Sequence, residues 1–350
     1  MSKESKTIIN SKGKILFFGL NHFLADIING HVCFICGALP DSKPFNDEHV
    51  IPDWILRRYG LHAKTINLPN GTKMRYGQYK IPCCQDCNTE LGRTYEIPIS
   101  NLLNKPYEGI CLEIEQNPEI LKLLFKWVSL LFIKTHLKDK ILLAERDTRK
   151  GSGSIGDNHY WEEMHHIHCI ARSHFSNAII DPKVFGTICI LPAMIIEGHD
   201  KFDFVDSEAG KAIMIQINGF CVISVLNDST AAYSLFQDVI NKIPGPLSPF
   251  QIREIVAHFN YINLNLKVKP LYKSVIDTNS QYRIIAEIPD YFSLVDKSER
   301  ISSPGEFLKY YVSEMIGDID DREKILNEIG EGKRNYLLDE KGIFINHNDC

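Results

Sequence analysis

HVCFICG at 31–37, DEHVIPDWILRRYG at 47–60 and PCCQDCNTELG at 82–92 are the segments whose joint reading decides the fold. Two Cys-x-x-Cys pairs, Cys33/Cys36 and Cys84/Cys87, bracket the dipeptide Glu48-His49, and Asn88 follows directly on the last cysteine. Four thiolates at this spacing suit a closed tetrahedral Zn²⁺ site, which is structural chemistry because no coordination position stays open for substrate. Cys83 leaves the second pair open, since it forms Cys-x-x-x-Cys with Cys87; Cys84 is the preferred ligand and Cys83 a buried spare. Glu48 and Asn88 offer oxygen ligands to a hard cation, and His49 is a general-base type. The zinc would hold their two segments together.

Working outward, Glu48–Pro52 reads as a short strand that Pro52 stops, and Asp53–Tyr59 as a helical turn exposing Arg57 and Arg58. Asn70-Gly71 is a hairpin signal, which places a strand at Lys73–Ile81 leading into the second cysteine pair. From Asn88 to about Glu96 the chain should be helical. The order is then knuckle, strand, hairpin strand, knuckle, helix: a ββα unit with zinc at its base.

That pattern resembles the HNH endonucleases of the ββα-metal superfamily, in particular the zinc-containing branch with CxxC…(D/E)H-[IV]-[IV]-P…CxxCN. The matching residues are Cys33, Cys36, Glu48 to Pro52, Cys84, Cys87 and Asn88, inside a stretch from His31 to Glu96 of a 350-residue chain. The resemblance implies a DNA endonuclease, with RNA as a possible alternative substrate, in a prokaryotic restriction, anti-phage or mobile-element setting. It implies structural Zn²⁺ on the four cysteines. Two departures stand out. The family's middle Asn has no counterpart in Tyr76–Lys80, where Gln78 is the nearest amide, and a common Lys three residues after the final Asn is Leu91 here. The competing reading is a non-catalytic zinc module that binds nucleic acid or protein.

Phosphodiester hydrolysis needs an activated water, a cation on the phosphate and leaving oxygen, and alignment. A neutral His suits the first task, since its ordinary pKa of about 6.5 leaves it mostly deprotonated at neutral pH. His49 is therefore the expected base, and Glu48 and Asn88 the expected ligands of one divalent ion. So few protein ligands suit Mg²⁺ or Mn²⁺ better than an enclosed Ca²⁺ cage.

A net charge of −5 argues against a protein that coats nucleic acid over its whole surface, so contact must come from a local basic patch. Between residues 51 and 95 seven basic side chains face three acidic ones. Arg57, Arg58, Lys73, Arg75, Lys80 and Arg93 are the expected nucleic-acid contacts. Ten cysteines behind a polar N-terminus without a signal-like apolar run fit a reducing cytoplasm, where paired cysteines are metal ligands. No apolar run is long enough to span a membrane.

The whole chain reads as α+β: a tail and packing helix over 1–30, with the helix at Lys14–Asn29; a zinc-stapled ββα-metal core over 31–100; and a larger α+β domain over 101–350. Pro118–His136 is an amphipathic helix with Asn117 as its cap. Met164–Cys169, with three histidines, is expected as a strand placing His166 and His168 on one face. Strands at Val184–Ile196, Lys211–Ile217, Phe220–Leu226 and Tyr282–Ile288 surround the Asn218-Gly219 hairpin signal. Ser229 is the expected cap of a helix reaching Ile243. The remaining helices fall at Phe250–Tyr261, Pro304–Gly317 and Asp320–Ile329. The second domain carries no P-loop, dinucleotide turn or hydrolase elbow. Targeting, binding of a regulatory ligand or docking of a protein partner are its open roles.

Overall fold

The computed structural model describes residues 6–147, 149–198 and 200–346. The chain is mixed α and β and forms two compact units. The first runs through Lys105 and takes in Glu113–Val184 and Tyr272–Ile285; the second comprises Pro106–Leu112, Phe185–Leu271 and the chain from Ala286. The first unit thus extends well past residue 100, because a later helix completes its core.

In the first unit, β1 (Ile8–Ile9) pairs antiparallel with β2 (Ile15–Phe17), and a helical turn follows at Leu20–His22 and Phe23–Ile28. The helix expected over Lys14–Asn29 therefore begins only after Gly19. Its first residues stay extended because the Arg172 guanidinium takes the Ile15 and Leu16 carbonyls. Next, β3 (Phe45–His49) leads through α1 (Asp53–Arg58) to a hairpin of β4 (Thr65–Asn67) and β5 (Lys73–Arg75). Its Asn70-Gly71 turn closes with a Leu68 N–H to Thr72 carbonyl bond, and Gly71 adopts φ +73°. The strand expected over Lys73–Ile81 is broken by a 3₁₀ turn at Tyr76–Gln78, after which β6 (Lys80–Cys84) pairs antiparallel with β3. The register sets Phe45 opposite Cys84 and His49 opposite Lys80. The chain then enters α2 (Gln85–Leu91), a π-helical turn (Gly92–Glu96) and α3 (Ile97–Leu103).

Through the middle of this unit runs α4 (Glu119–Ile141), with Asn117 Oδ1 accepting from the Glu119 N–H at its start. From Leu124 to Leu137 every residue of α4 except Lys126 is buried, Lys134 and His136 included. The three-histidine segment is a helix, α5 (Trp161–Ala171), and not the expected strand. Its buried residues Trp161, Met164, Ile167 and Ile170 recur every three positions, the period of one helix face. His166 and His168 consequently share no face. His166 stacks on Tyr272 at 3.9 Å between ring centres, whereas His168 is wholly buried.

The second unit holds a four-stranded antiparallel sheet in the order Thr187–Pro192, Phe220–Val225, Ala212–Ile217, Phe202–Ser207. Its central hairpin turns at Asn218-Gly219, where both residues take the positive φ that a two-residue primed turn requires. Four helices, Ala231–Ile240, Pro249–Leu264, Pro304–Val312 and Arg322–Gly330, contribute to one apolar core with the sheet. Thr230, and not Ser229, stands at the N-cap of the first of them, and the buried Asp228 carboxylate accepts the Ala232 and Thr187 N–H groups at 2.7 Å each. Among the described residues no helix is long and apolar enough to cross a membrane.

Candidate active site and zinc centre

The first knuckle turns at Gly37, whose N–H donates to the Cys33 carbonyl at 2.8 Å. Gly37 adopts φ +77°, and a Cβ there would stand 2.8 Å from the Phe18 ring, so the turn requires glycine. Cys84 ends β6 and Cys87 lies in the first turn of α2, so the second pair is built by a strand running straight into a helix. One sulfur from each of Cys33, Cys36, Cys84 and Cys87 lies within 4.8 Å of the other three. The Cys36–Cys84 separation is 3.6 Å, against about 3.7 Å between sulfurs of a tetrahedron with Zn–S bonds of 2.3 Å. Cys83 stands 3.8 Å from Cys33 but outside this group of four.

Electrostatics make the same case. Hydrogen bonds from Cys36, Cys83 and Cys87 hold the Cys33 thiol far below its ordinary range, while Cys36 is pushed up to about 12 by its bond to Cys33. Cys87 is pushed up by the same two neighbours. Four crowded thiols cannot all ionise beside one another without a cation, and a dication resolves the conflict. The donor set therefore fits structural zinc. Helix α5 braces the knuckle from behind: His168 Nε2 lies 2.6 Å from the Phe34 carbonyl and Arg172 Nε donates to the Ile35 carbonyl at 2.8 Å.

Beside this centre lies a cleft of about 520 Å³ lined by Asp47, Glu48, His49, Asp53, Arg57 and Asn88, with Glu96 also contributing. All three expected catalytic residues thus meet in one cavity, two from the end of β3 and one from α2. Asn88 Nδ2 donates to Asn46 Oδ1 at 2.8 Å, which ties α2 to β3. Asp47 is an exposed carboxylate that the sequence reading passed over, although it shares the face of His49 by strand alternation.

A residue far away in sequence organises the dipeptide. Lys134 of α4 is fully buried, and its Nζ donates to Glu48 Oε1 at 2.7 Å and to the His49 carbonyl at 2.8 Å. A buried ammonium is tolerated only when paired and hydrogen-bonded, so Lys134 fixes both the Glu48 carboxylate and the backbone that carries the His49 ring. Gln78, the amide nearest the place of the missing Asn, is exposed and does not serve this role. Lys134→Met is expected to cost about 3–5 kcal/mol because it strands Glu48 beside an apolar helix. In a unit of this size that is a fall of roughly 10 °C in Tm. Glu48→Gln combined with Lys134→Met should recover much of it. A single variant melting with the wild type would mean that the pair contributes nothing to stability.

The expected base, His49, is in a state that suits the role. Burial, and then the nearby Lys80 charge, push the pKa of His49 below its ordinary value, so the ring is neutral at neutral pH. His62 stands edge-on to His49, with ring centres 6.0 Å apart, and its Nε2 lies 3.2 Å from Asp53 Oδ1. Arg57 Nε reaches the other Asp53 oxygen at 2.6 Å. His49, Asp53 and His62 present one ligand atom each within 4.8 Å, a second place where the cleft could hold a metal. Below them Glu96 accepts from Trp54 Nε1 at 2.8 Å and from Trp127 Nε1 at 3.3 Å. His62 and Glu96 lie outside the family motif and had no sequence signal; only the fold brings them in.

The expected nucleic-acid contacts divide. Arg57 lines the cleft and Lys80 faces His49 across the β3–β6 pair. Lys73 and Arg75 sit exposed on β5, and Arg93 is exposed in the turn after α2. Arg58, also exposed, bonds the Leu103 carbonyl and the Asn104 side chain at the end of α3. Comparison with family models, with curated proteins and with solved structures finds no match for this chain.

Proposed function

We propose that this chain is a metal-dependent endonuclease of the HNH type that hydrolyses phosphodiester bonds in DNA, with residues 31–100 as its zinc-stapled ββα-metal core. The observation that carries the reading is the meeting of Glu48, His49 and Asn88 in one cleft, next to four cysteines that fit zinc. His49 takes the proton of a water as its oxygen attacks phosphorus; the P–O3′ bond breaks, and the leaving oxygen takes a proton from solvent. Lys134 holds the His49 backbone during that step, and Arg57 is placed at the cleft to meet a phosphate. A Mg²⁺ or Mn²⁺ ion on Glu48 and Asn88 would neutralise charge on the phosphate and leaving oxygen.

Incubating supercoiled plasmid with the protein and Mg²⁺ or Mn²⁺ should give nicked and linear DNA, and chelation should stop it. A parallel RNA substrate distinguishes the two polymers. One feature favours a zinc module that binds without cutting: Glu48 Oε1, an expected metal-ligand atom, already has a protein partner in Lys134. Retarded DNA that is never cut with either metal would establish that alternative.

The pH profile adds a sign. Only neutral His49 accepts a proton, and its pKa is lowered, so activity should hold as pH falls to about 6.5 and drop only below it. A cation bound nearby shifts the limb in the same direction. An acid limb centred at or above pH 7 would point to a different base.

A further inference from the structure

We propose that His136, Asp139 and His159 form a second zinc site, distinct from the cysteine centre and from the cleft. His136 and Asp139 lie one turn apart on α4, and His159 follows a 3₁₀ turn at Ile155–Asn158. His136 Nδ1 stands 3.2 Å and His159 Nε2 3.1 Å from the same oxygen, Asp139 Oδ2. One atom from each residue lies within 4.8 Å of the others.

Three observations point to a cation at this trio. First, a first-row ion at about 2.0–2.1 Å from N and O ligands separates them by roughly 2.9 Å in an octahedron and 3.3 Å in a tetrahedron, which brackets both distances. The same distances suit ordinary N–H···O bonds, so the spacing admits an ion and the next two observations favour one. Second, Asp139 is 2% exposed, and its Oδ1 is buried without a hydrogen-bond partner. A carboxylate held that deep, with both imidazoles on one oxygen, leaves the other oxygen unsatisfied, and an ion would satisfy it. Third, the site is preorganised. Ser154 and Asp157 form a capping box around the 3₁₀ turn, and the Trp161 indole donates to the Gly156 carbonyl. A Cβ on Gly156 would stand 2.9 Å from the Lys140 backbone nitrogen, so this turn sits directly on the last turn of α4. Phe132 and Trp161 flank the two imidazoles.

Two imidazoles and one carboxylate are borderline donors that suit Zn²⁺, and three protein ligands leave one position for water on the His159 side, where that ring is 11% exposed. The ion would clip the connection between α4 and α5 to the helix that carries Lys134.

Metal analysis of the full-length protein, purified with zinc and dialysed, should find two Zn²⁺ per chain. His159→Ala and Asp139→Asn should each hold one. Cobalt exchange separates this site from the cysteine centre, and loss of the band in His159→Ala separates it from the cleft. With zinc kept on the cysteines, Co²⁺ added to the wild type should bring a weak visible band and no thiolate charge-transfer absorption. One Zn²⁺ in the wild type together with no cobalt band would overturn the site. So would two Zn²⁺ retained by both variants. These readouts do not depend on nuclease activity, so failure here leaves the proposed function standing.

Discussion

Cys84→Ser is expected to release the structural zinc and unfold the first unit's core. The four sulfurs draw together two segments with little else in common: the knuckle at Cys33–Gly37 and the junction of β6 with α2. Zinc on such a site is worth about 10–16 kcal/mol, and that free energy is folding free energy. A whole domain is stable by only about 5–15 kcal/mol, so losing the ion removes as much as the unit has. Serine keeps the shape of the side chain but not a thiolate. Metal analysis and a thermal melt read the result directly: the cysteine-bound zinc should vanish and the cooperative transition with it. Cys83→Ser is the control, and should keep the zinc while losing only the packing of a buried sulfur against Cys33. Intact zinc and Tm in Cys84→Ser, with both lost in Cys83→Ser, would move the fourth ligand by one residue.

What the sequence made legible follows the range of each signal. Cysteine spacing, the Asn-Gly turns at 70–71 and 218–219, and the period of Pro118–His136 are local, and the fold contains each in place. The strand assignment for Met164–Cys169 failed because His166-Ile167-His168 alternates polar and apolar, and so short a stretch mimics a period of two. Extending the window to Trp161 and Ala171 restores the helical period. Arg172 illustrates a different limit. It fixes β2 and the knuckle through three carbonyls more than 130 residues away, and no pattern in sequence announces such a partner. Lys134 is the same case at the cleft. It reads as one polar interruption of an apolar helix, an ordinary solvated lysine, and becomes the partner of Glu48 only once α4 is buried against β6. The motif residues thus line one cleft, whereas the residues that hold them there came from packing.

His49→Ala is the variant on which the functional reading rests. Removing a positioned general base typically lowers the rate by about 10²–10⁴-fold. The fold should survive, because the His49 ring is only half-buried and Lys134 binds its backbone carbonyl, which alanine retains. DNA affinity and zinc content should therefore match the wild type while cleavage disappears. Glu48→Ala and Asn88→Ala should differ in kind. Their loss weakens ion binding, which excess Mn²⁺ restores by mass action, whereas no cation replaces an absent base. Glu48→Ala carries a further penalty, since it strands the buried Lys134 ammonium, so its rescue should be poorer than that of Asn88→Ala. That ranking, His49→Ala unrescued, Glu48→Ala weakly and Asn88→Ala best, is specific to this arrangement. If His49→Ala cut plasmid near the wild-type rate, His62 beside it would be the next base to remove, because its Asp53 contact could orient the ring. Cleavage that survived both substitutions would leave the zinc-held scaffold as a binding module whose cutting activity came from elsewhere.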